Sequence, residues 1–241
     1  LSMQLHHHCS YYDAVRKRYT IFGGFGNMYY SNKFYMFNAE EGRWNTLGSL
    51  SGDFLCPRYF SSAGYLDSNH SVYIFGGMGN ESGDQVIGRC YFHDFYKVDL
   101  QEMRVQKLWD ISEGQPNMVP AQDMVILNDS CFYVLRYPES VSNSFLHLYR
   151  FSVEDGSCHI LGDSIPIYSD KITTNARLYY NERQSRLFVT VQETSDDVSS
   201  KFSVYSLLFP PVSLEKYTAN NGGGNALHVW LVLVAAVVAV A

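Results

Sequence analysis

Short apolar and aromatic runs alternate along this chain with turns rich in Gly, Asn, Asp and Ser. The runs are continuous rather than spaced at helical intervals, which is typical of short β-strands buried on both faces. Tyrosine and phenylalanine are frequent in them, and aromatic side chains suit a pleated, half-buried surface. We therefore predict no long helix before residue 225, and strands at residues 20–22, 34–37, 72–75, 95–98, 132–135, 148–151, 187–191 and 203–207.

The strand pattern repeats. The segment YTIFGGFGN at 19–27 recurs as VYIFGGMGN at 72–80, so Phe22 and Phe75 stand 53 residues apart. Weaker copies of the same strand follow at 131–137 and 187–193. A tyrosine in the next strand also marks each unit, at Tyr35, Tyr96, Tyr149 and Tyr205. A period near 50 that is built from strands predicts propeller blades, each a four-stranded antiparallel sheet.

The second copy shows how one unit is organised. Residues 58–66 suit an inner strand, because the small residues at 61–64 allow neighbouring strands to approach closely. The apolar strand then ends at Gly76-Gly77, where a chain without Cβ atoms turns sharply. The last strand of a unit carries Trp44 in the first copy, Val105 in the second and Cys158 in the third.

These residues resemble the kelch family, through Gly23-Gly24, Gly76-Gly77, the Tyr35 strand, the turn at 38–42 and Trp44. The resemblance covers 5–211 and implies an all-β fold of kelch-type β-propeller blades. The third and fourth copies carry Arg136-Tyr137 and Val191-Gln192 in place of the glycine pair, so they rest on spacing and aromatic residues. We expect about three and a half blades in a partial ring, as the C-terminal piece of a longer propeller.

The end of the chain changes character. After the partial propeller at 1–211, residues 212–225 form a polar linker, and 226–241 are predicted to be a transmembrane segment. Residues 227–241 carry no charge, but these 15 residues are fewer than the roughly 20 that a spanning helix needs, so the span is expected to be truncated or short. A buried core strand or helix and a lipid-anchor signal are the alternatives.

The net charge of −6 and the pI near 5.7 give no reason to expect nucleic-acid binding through this region. The five cysteines show no CxxC spacing, and the three histidines at 6–8 would alternate between strand faces, so we predict neither a metal site nor a cofactor. Asn-x-Ser sequons occur at Asn69, Asn80 and Asn128. They matter only in a secretory setting, and turn-rich sequences produce them by chance.

Three functions remain open. The first is a non-catalytic recognition or sensor module, tethered to a membrane and facing the periplasm or the exterior; kelch-like ectodomains followed by one helix look like the sensory halves of bacterial envelope proteins. The second is an envelope carbohydrate-active enzyme of the sialic-acid epimerase or galactose-oxidase kind; Arg58, Arg89 and Glu81 are candidate groups for the epimerase, and no cysteine and histidine set matches the oxidase. The third is a cytosolic kelch adaptor, against which the apolar tail argues. No catalytic constellation stands out, so we favour the first, with a protein or carbohydrate ligand.

Ligand binding is expected in loops that gather at one end of the blades, at 26–32, at 79–93 and before the inner strand at 53–59. The candidate ligand-binding residues are Asn27, Tyr29, Tyr30, Asn32, Arg58, Tyr59, Asn80, Glu81 and Asp84. Aromatic rings beside amide and charged groups suit sugar or peptide recognition. Alanine at Tyr30, Arg58 and Glu81 together is predicted to abolish binding with little change in melting temperature.

Overall fold

The computed structural model describes residues 5–168, 175–194, 199–213 and 231–239. In these ranges the fold is all-β: the regular structure consists of strands and of two short 3₁₀ turns, Asp67–Asn69 and Gln85–Ile87, without an α-helix. All eight strands predicted from the sequence are present, so that part of the prediction is confirmed.

The strands are numbered along the chain. The first group is β1 (Cys9–Asp13), β2 (Arg18–Phe22), β3 (Phe25–Gly26), β4 (Tyr29–Tyr30), β5 (Phe34–Asn38), β6 (Arg43–Thr46) and β7 (Ser51–Gly52). The second is β8 (Arg58–Tyr59), β9 (Ser62–Leu66), β10 (Ser71–Gly79), β11 (Cys90–Asp99) and β12 (Arg104–Asp110). The third is β13 (Val119–Ile126), β14 (Cys131–Tyr137), β15 (Asn143–Ser152) and β16 (Cys158–Tyr168). The fourth is β17 (Asn175–Asn181), β18 (Arg186–Thr194), β19 (Ser199–Leu208) and β20 (Leu231–Ala239).

Four four-stranded antiparallel sheets follow one another along the chain, in the orders β1-β2-β5-β6, β9-β10-β11-β12, β13-β14-β15-β16 and β17-β18-β19-β20. The second and third sheets are joined where β13 pairs in parallel with β9, with Asp123 opposite Ala63. The hairpin β3-β4 lies apart from these sheets, and β7 and β8 extend the second one. Because neighbours in sequence are neighbours in each sheet, every sheet is a simple meander.

The first strands of the sheets lie side by side, with β9 packed against β1 and β13, and β13 against β17. The small residues of the predicted inner strand permit this. A Cβ added at Gly64 would lie 2.5 Å from Cγ of Met124, and Ser61 and Ser62 are fully buried. Of the predicted inner strand at 58–66, residues 62–66 form β9, which packs against β1 and β13, whereas 58–59 form the separate strand β8.

An aromatic cluster fills the space between the second and third sheets. Phe95 and Phe132 stack with their ring centroids 4.4 Å apart, and Phe151 lies 5.3 Å from Phe132. Trp109 stacks on Phe95 at 5.0 Å and donates its indole N–H to the Val153 carbonyl at 2.9 Å. Separate apolar clusters lie between the first and second sheets and between the third and fourth.

The glycine pairs are required by close backbone approach. Gly23 has φ +72°, and a Cβ there would lie 2.6 Å from the carbonyl oxygen of Arg58. Gly77 has φ +104°, and a Cβ there would lie 2.7 Å from the carbonyl oxygen of Tyr59. Both pairs therefore let the chain between the first two sheets approach the ends of β2 and β10.

Part of the apolar tail forms the last strand. Residues 231–239 of the predicted transmembrane segment 226–241 form β20, which pairs antiparallel with β19. Val232, Val234, Val237 and Val238 are β-branched, which favours a strand, and pairing covers an edge of β19 that would otherwise be open. β20 also gives the fourth sheet its outer strand, so this sheet has four strands.

No helix within the described ranges is long and apolar enough to cross a membrane. The predicted linker, 212–225, lies outside the described residues except for Val212 and Ser213, as do residues 226–230 and 240–241 of the predicted span.

Candidate functional site

The candidate site lies at one end of the strands of the first three sheets, where the second strand of each sheet connects to the third. We name this end of the strands the loop face and define it as residues 23–33, 53–61, 80–89 and 138–142. Hydrogen bonds join its loops: the backbone N–H of Tyr30 donates to the Gly83 carbonyl at 2.7 Å, and that of Arg58 to the Ser31 carbonyl at 2.9 Å. The structure thus brings together the loops that the sequence analysis selected.

The nine predicted residues differ in how they could meet a ligand. Asn27, Tyr29 and Glu81 are exposed, Asn32, Asn80 and Asp84 are half-buried, and Tyr30, Arg58 and Tyr59 are buried. The amide of Asn32 donates to the Leu55 carbonyl at 3.1 Å, so this residue connects two loops of the face. Only the first group projects freely from the surface.

Arg58 is a core residue rather than a ligand contact, which corrects its predicted role. Its guanidinium is fully buried and donates to both carboxylate oxygens of Asp94, at 2.6 and 3.0 Å, and to the Gly76 carbonyl at 3.1 Å. Burial alone would lower the pKa of Arg58, but the adjacent Asp94 charge raises it above its ordinary value. Alanine at Arg58 would leave Asp94 buried and unpaired, so the triple alanine variant is expected to lose stability.

Asn80 and Asp84 fix the shape of the loop at 80–88. The Asn80 amide nitrogen donates to the carbonyls of Asp84 and Gly88, at 2.7 and 2.6 Å, and its oxygen accepts from the Gly83 N–H at 2.7 Å. Asp84 caps the 3₁₀ turn by accepting from the Val86 N–H at 2.8 Å. These two residues therefore organise the loop from within.

This fixed loop presents apolar side chains to solvent. Val86 is 77% exposed and Ile87 is 69% exposed. Met28 and Tyr29 stand next to them, at 58% and 61% exposure, because the Gln85 N–H donates to the Met28 carbonyl at 3.0 Å. We name Met28, Tyr29, Val86 and Ile87 the apolar tip. Contiguous exposed apolar side chains of this kind are characteristic of interaction sites.

Tyrosines surround an arginine and a glutamate on the same face. Tyr30 and Tyr59 stack with ring centroids 5.1 Å apart. Nη2 of Arg89 lies 3.7 Å from Oε1 of Glu139, and the Tyr91 hydroxyl donates to the same oxygen. Burial raises the pKa of Tyr59 to about 12, against the opposing charge of Arg89. Tyr59 therefore keeps its proton at neutral pH.

Tyr91 and Glu139 were missed as site residues. The repeat does align Leu135 with Phe22 and Phe75, and this alignment would have placed 138–142 in the third copy of the same loop. The missing glycine pair in that copy hid the equivalence. Arg89 was considered only as a catalytic candidate, whereas its side chain pairs with Glu139.

A cavity of about 460 Å³ opens beside the loop face, between the first sheet and the segment at 47–55. Asn32, Lys33, Asp53 and Phe54 are among its lining residues. It combines amide, charged and aromatic groups in a volume that suits a small polar ligand.

The histidines near the start of the chain pack against the loop face. The His7 ring stacks on Phe60, with centroids 4.1 Å apart, and on Phe25 at 5.9 Å. Burial, with smaller contributions from His6 and His8, lowers the pKa of His7 to about 4. Within the described residues no three His, Cys, Asp or Glu side chains are grouped so that they could hold a metal ion.

The chemistry available at the loop face is that of non-covalent binding: exposed aliphatic side chains, stacked phenols, and an arginine paired with a carboxylate. Such groups supply apolar contact, hydrogen bonds and charge without an activated nucleophile. No family model matches this chain, and no curated protein matches it either.

Proposed function

We propose that the chain is part of a kelch-type β-propeller in which each four-stranded sheet is one blade. The repeat of about 50 residues, the meander order of each sheet and the side-by-side packing of the first strands support this proposal. The glycine pairs add support, since Gly23 follows β2 and Gly77 lies near the end of β10, each at a close backbone approach.

The function that we propose for this propeller is non-catalytic recognition of a protein partner through the loop face. The observation that carries the proposal is the apolar tip, whose aliphatic side chains are held in solvent by a loop with its own hydrogen-bond scaffold. A preformed loop loses little conformational entropy on binding, so apolar contact made there contributes efficiently to affinity. Arg89 and the tyrosines beside the tip are residue types that often anchor protein interfaces.

The experiment is selection of a random peptide library against the immobilised full chain, followed by affinity measurements on variants. Val86→Ser/Ile87→Ser is expected to weaken the selected peptides at least about tenfold, since two exposed aliphatic anchors are worth about 1.4 kcal/mol or more. The melting temperature should not change, because neither side chain is buried.

The matched control is Val15→Ser/Ile160→Ser, which removes two aliphatic side chains of 60% and 52% exposure away from the loop face. It should bind the selected peptides as the unmodified chain does. Equal weakening by both double variants, or none by the tip variant, would contradict the proposed site.

We also propose that the propeller lies outside the cytoplasm and is tethered to a membrane by its apolar tail. The support is the uncharged run at 227–241. Eight of these residues pair with β19 in the structure, so tail insertion and strand pairing exclude each other. Flotation of the full chain with liposomes, compared with residues 1–213, distinguishes the two. A tether requires that the full chain float and the shorter one not.

A small polar ligand in the cavity beside Asn32 and Asp53 is a second candidate, favoured by its mixed lining. Titration calorimetry with a panel of neutral and acidic monosaccharides tests it, with Asp53→Asn as the variant expected to weaken binding. A carbohydrate-active enzyme has less support, because Arg58 is committed to Asp94 and Arg89 to Glu139.

A further inference from the structure

Three asparagines of this chain stand in Asn-x-Ser sequons, and the structure places them differently. Asn69 and Asn128 lie in turns between a first and a second strand, β9-β10 and β13-β14. Asn80 lies in the loop between β10 and β11, which belongs to the loop face. In a four-stranded meander the connection between the first and second strands and the connection between the second and third strands lie at opposite ends of the strands. Asn69 and Asn128 therefore lie at the end of the strands opposite the loop face.

Two of the three amide nitrogens are engaged in the folded protein. Nδ2 of Asn69 donates to the Tyr73 hydroxyl at 3.0 Å and to Oδ1 of Asp129 at 2.8 Å. Nδ2 of Asn80 donates to two carbonyls that fix its loop. A sugar attached to either nitrogen replaces one of its two hydrogens, so at least one of these hydrogen bonds would be lost, and at Asn80 the sugar would also cover the loop face.

Asn128 is different. It is exposed, as are Leu127, Asp129 and Ser130 around it. Its carboxamide oxygen accepts from the N–H of Ser130 at 2.9 Å and from its hydroxyl at 2.6 Å. Nδ2 of Asn128, the atom that would bond to a sugar, has no hydrogen-bond partner among the described residues. A glycan there would therefore displace no hydrogen bond of this nitrogen. The second residue after it, the serine that the sequon requires, is already turned towards the same amide.

We propose that Asn128 is the acceptor of an asparagine-linked glycan and that the folded chain carries its glycan at this sequon alone. The donor is a polyprenyl diphosphate-linked oligosaccharide, used by a transferase of the secretory route. A C–N bond forms between the sugar's anomeric carbon and Nδ2, the anomeric C–O bond breaks, and polyprenyl diphosphate leaves with the electron pair. The Nδ2 proton passes to a base of the transferase.

The inference rests on the extracytoplasmic location given under the proposed function, and it also requires a cell with such a transferase, which distinguishes it from the bacterial envelope resemblance. It has a consequence for selection during folding. A chain that is modified at Asn69 or Asn80 before it folds lacks native hydrogen bonds and is retained. The secreted chains then carry one glycan, at the end of the strands opposite the loop face. A glycan in that position does not obstruct partner binding at the loop face.

The first arm of the test uses folded chain made without glycans, incubated with a purified single-subunit transferase and its lipid-linked donor. Peptide mapping should find one glycan, at Asn128, and Asn128→Gln and Ser130→Ala should carry none. Ser71→Ala/Ser82→Ala, which removes the other two sequons but keeps both asparagines, should carry one glycan as before. Urea-unfolded chain should become modified at Asn69 and Asn80 too.

The proposal is overturned if Asn128 of the folded chain stays unmodified while the unfolded chain accepts sugar there, or if Asn69 or Asn80 is modified equally fast in the folded chain. The second arm directs the chain into the secretory route of a eukaryotic cell with a heterologous leader. A single Asn128 glycan on the secreted chain is expected, and glycan retained in Asn128→Gln would overturn the proposal. The first arm does not depend on location, so a failed location proposal would not alter its outcome.

Discussion

Two buried arginines of this protein are compensated in opposite ways. Arg58 donates to both oxygens of Asp94. Arg136 is 2% exposed, and its Nη2 contacts Nδ1 of His93 at 2.7 Å, but its Nε has no partner and no carboxylate pairs with it among the described residues. The rings of Tyr149 and other aromatic residues lie around its guanidinium, the closest centroid at 5.0 Å. Burial therefore lowers the pKa of Arg136, whereas Asp94 raises that of Arg58.

Methionine at each position separates these two cases. Arg58→Met leaves the Asp94 carboxylate buried and unpaired, so it should lower the free energy of unfolding by about 3 kcal/mol or more. Arg136→Met removes a buried charge that has no counter-ion, so it should change stability by less than about 1 kcal/mol or increase it. Urea unfolding at pH 7 measures both. An equal loss in the two variants would refute the contrast.

Acid should destabilise the fold through His93. Burial, and then the neighbouring Arg136 charge, lower the pKa of His93 from 6.5 to about 4. Between these values the unfolded chain binds a proton that the folded chain does not. The free energy of unfolding therefore falls as the pH decreases through this window, by up to about 1.4 kcal/mol per pH unit.

His7, whose pKa is also lowered to about 4, adds a similar contribution. Urea unfolding between pH 7 and pH 4 measures the combined slope. His93→Gln should reduce that slope by its own share while keeping a hydrogen-bond acceptor near Arg136. A slope that is the same in the variant would show that His93 does not carry the effect.

At this scale the sequence reveals little. Arg58 stands at the very start of the predicted inner strand, where the sequence does not indicate burial, and its partner Asp94 is 36 residues away. Only the pairing of β10 with β11 and β8 sets their distance, so the ion pair follows from the three-dimensional fold. The exposed residues Tyr29 and Glu81 were predictable because they occupy turn positions between recognisable strands.

Among the elements, the strands were the most predictable part. Continuous apolar runs marked all eight correctly, but their lengths were underestimated. β10 continues past the glycine pair to Gly79 through a β-bulge between Phe75 and Gly77. The tail was the opposite case. Residues 231–239 are apolar throughout, so periodicity cannot distinguish a helix from a strand; in the structure they lie beside β19 as β20.

The bulge gives a prediction at the same scale. Gly77→Ala should lower the free energy of unfolding by about 2 kcal/mol, because the residue needs φ +104° and the new Cβ would lie 2.7 Å from the Tyr59 carbonyl oxygen. Gly48→Ala is the matched control, since the nearest atom to its Cβ is the Met103 Cε at 3.7 Å. Thermal unfolding compares them. A harmless Gly77→Ala would show that the backbone can shift there.

For the whole molecule, the repeat predicted a succession of four-stranded sheets, and the structure contains four. The outer strand of the fourth sheet was not predicted, because it comes from a tail that carries none of the repeat's landmarks. The meander order predicted which loops meet at one end of the strands. The side chains that form the apolar tip could not be predicted in this way, because their exposure depends on the conformation of a single loop.

Removal of the tail tests the assembly of the sheets. Residues 1–213 lack β20, so β19 presents an unpaired edge to solvent. The aromatic side chains Tyr19, Phe37 and Trp44 are also partly exposed on the first sheet. This shortened chain is expected to self-associate and to melt below the full chain. Sedimentation velocity across a range of concentrations measures association. A monodisperse, cooperatively melting 1–213 would contradict the expectation.

The stacking of Trp109 makes the contact between the second and third sheets visible by spectroscopy. Its indole is half-buried, stacks on Phe95 and donates to the Val153 carbonyl, so it should give a tryptophan fluorescence signal and a near-ultraviolet tryptophan dichroism band that depend on this packing. In a chain whose other two tryptophans, Trp44 and Trp230, are replaced by Phe, both signals come from this one position. Loss of the dichroism band before the far-ultraviolet strand signal would mean that the sheets separate before they unfold.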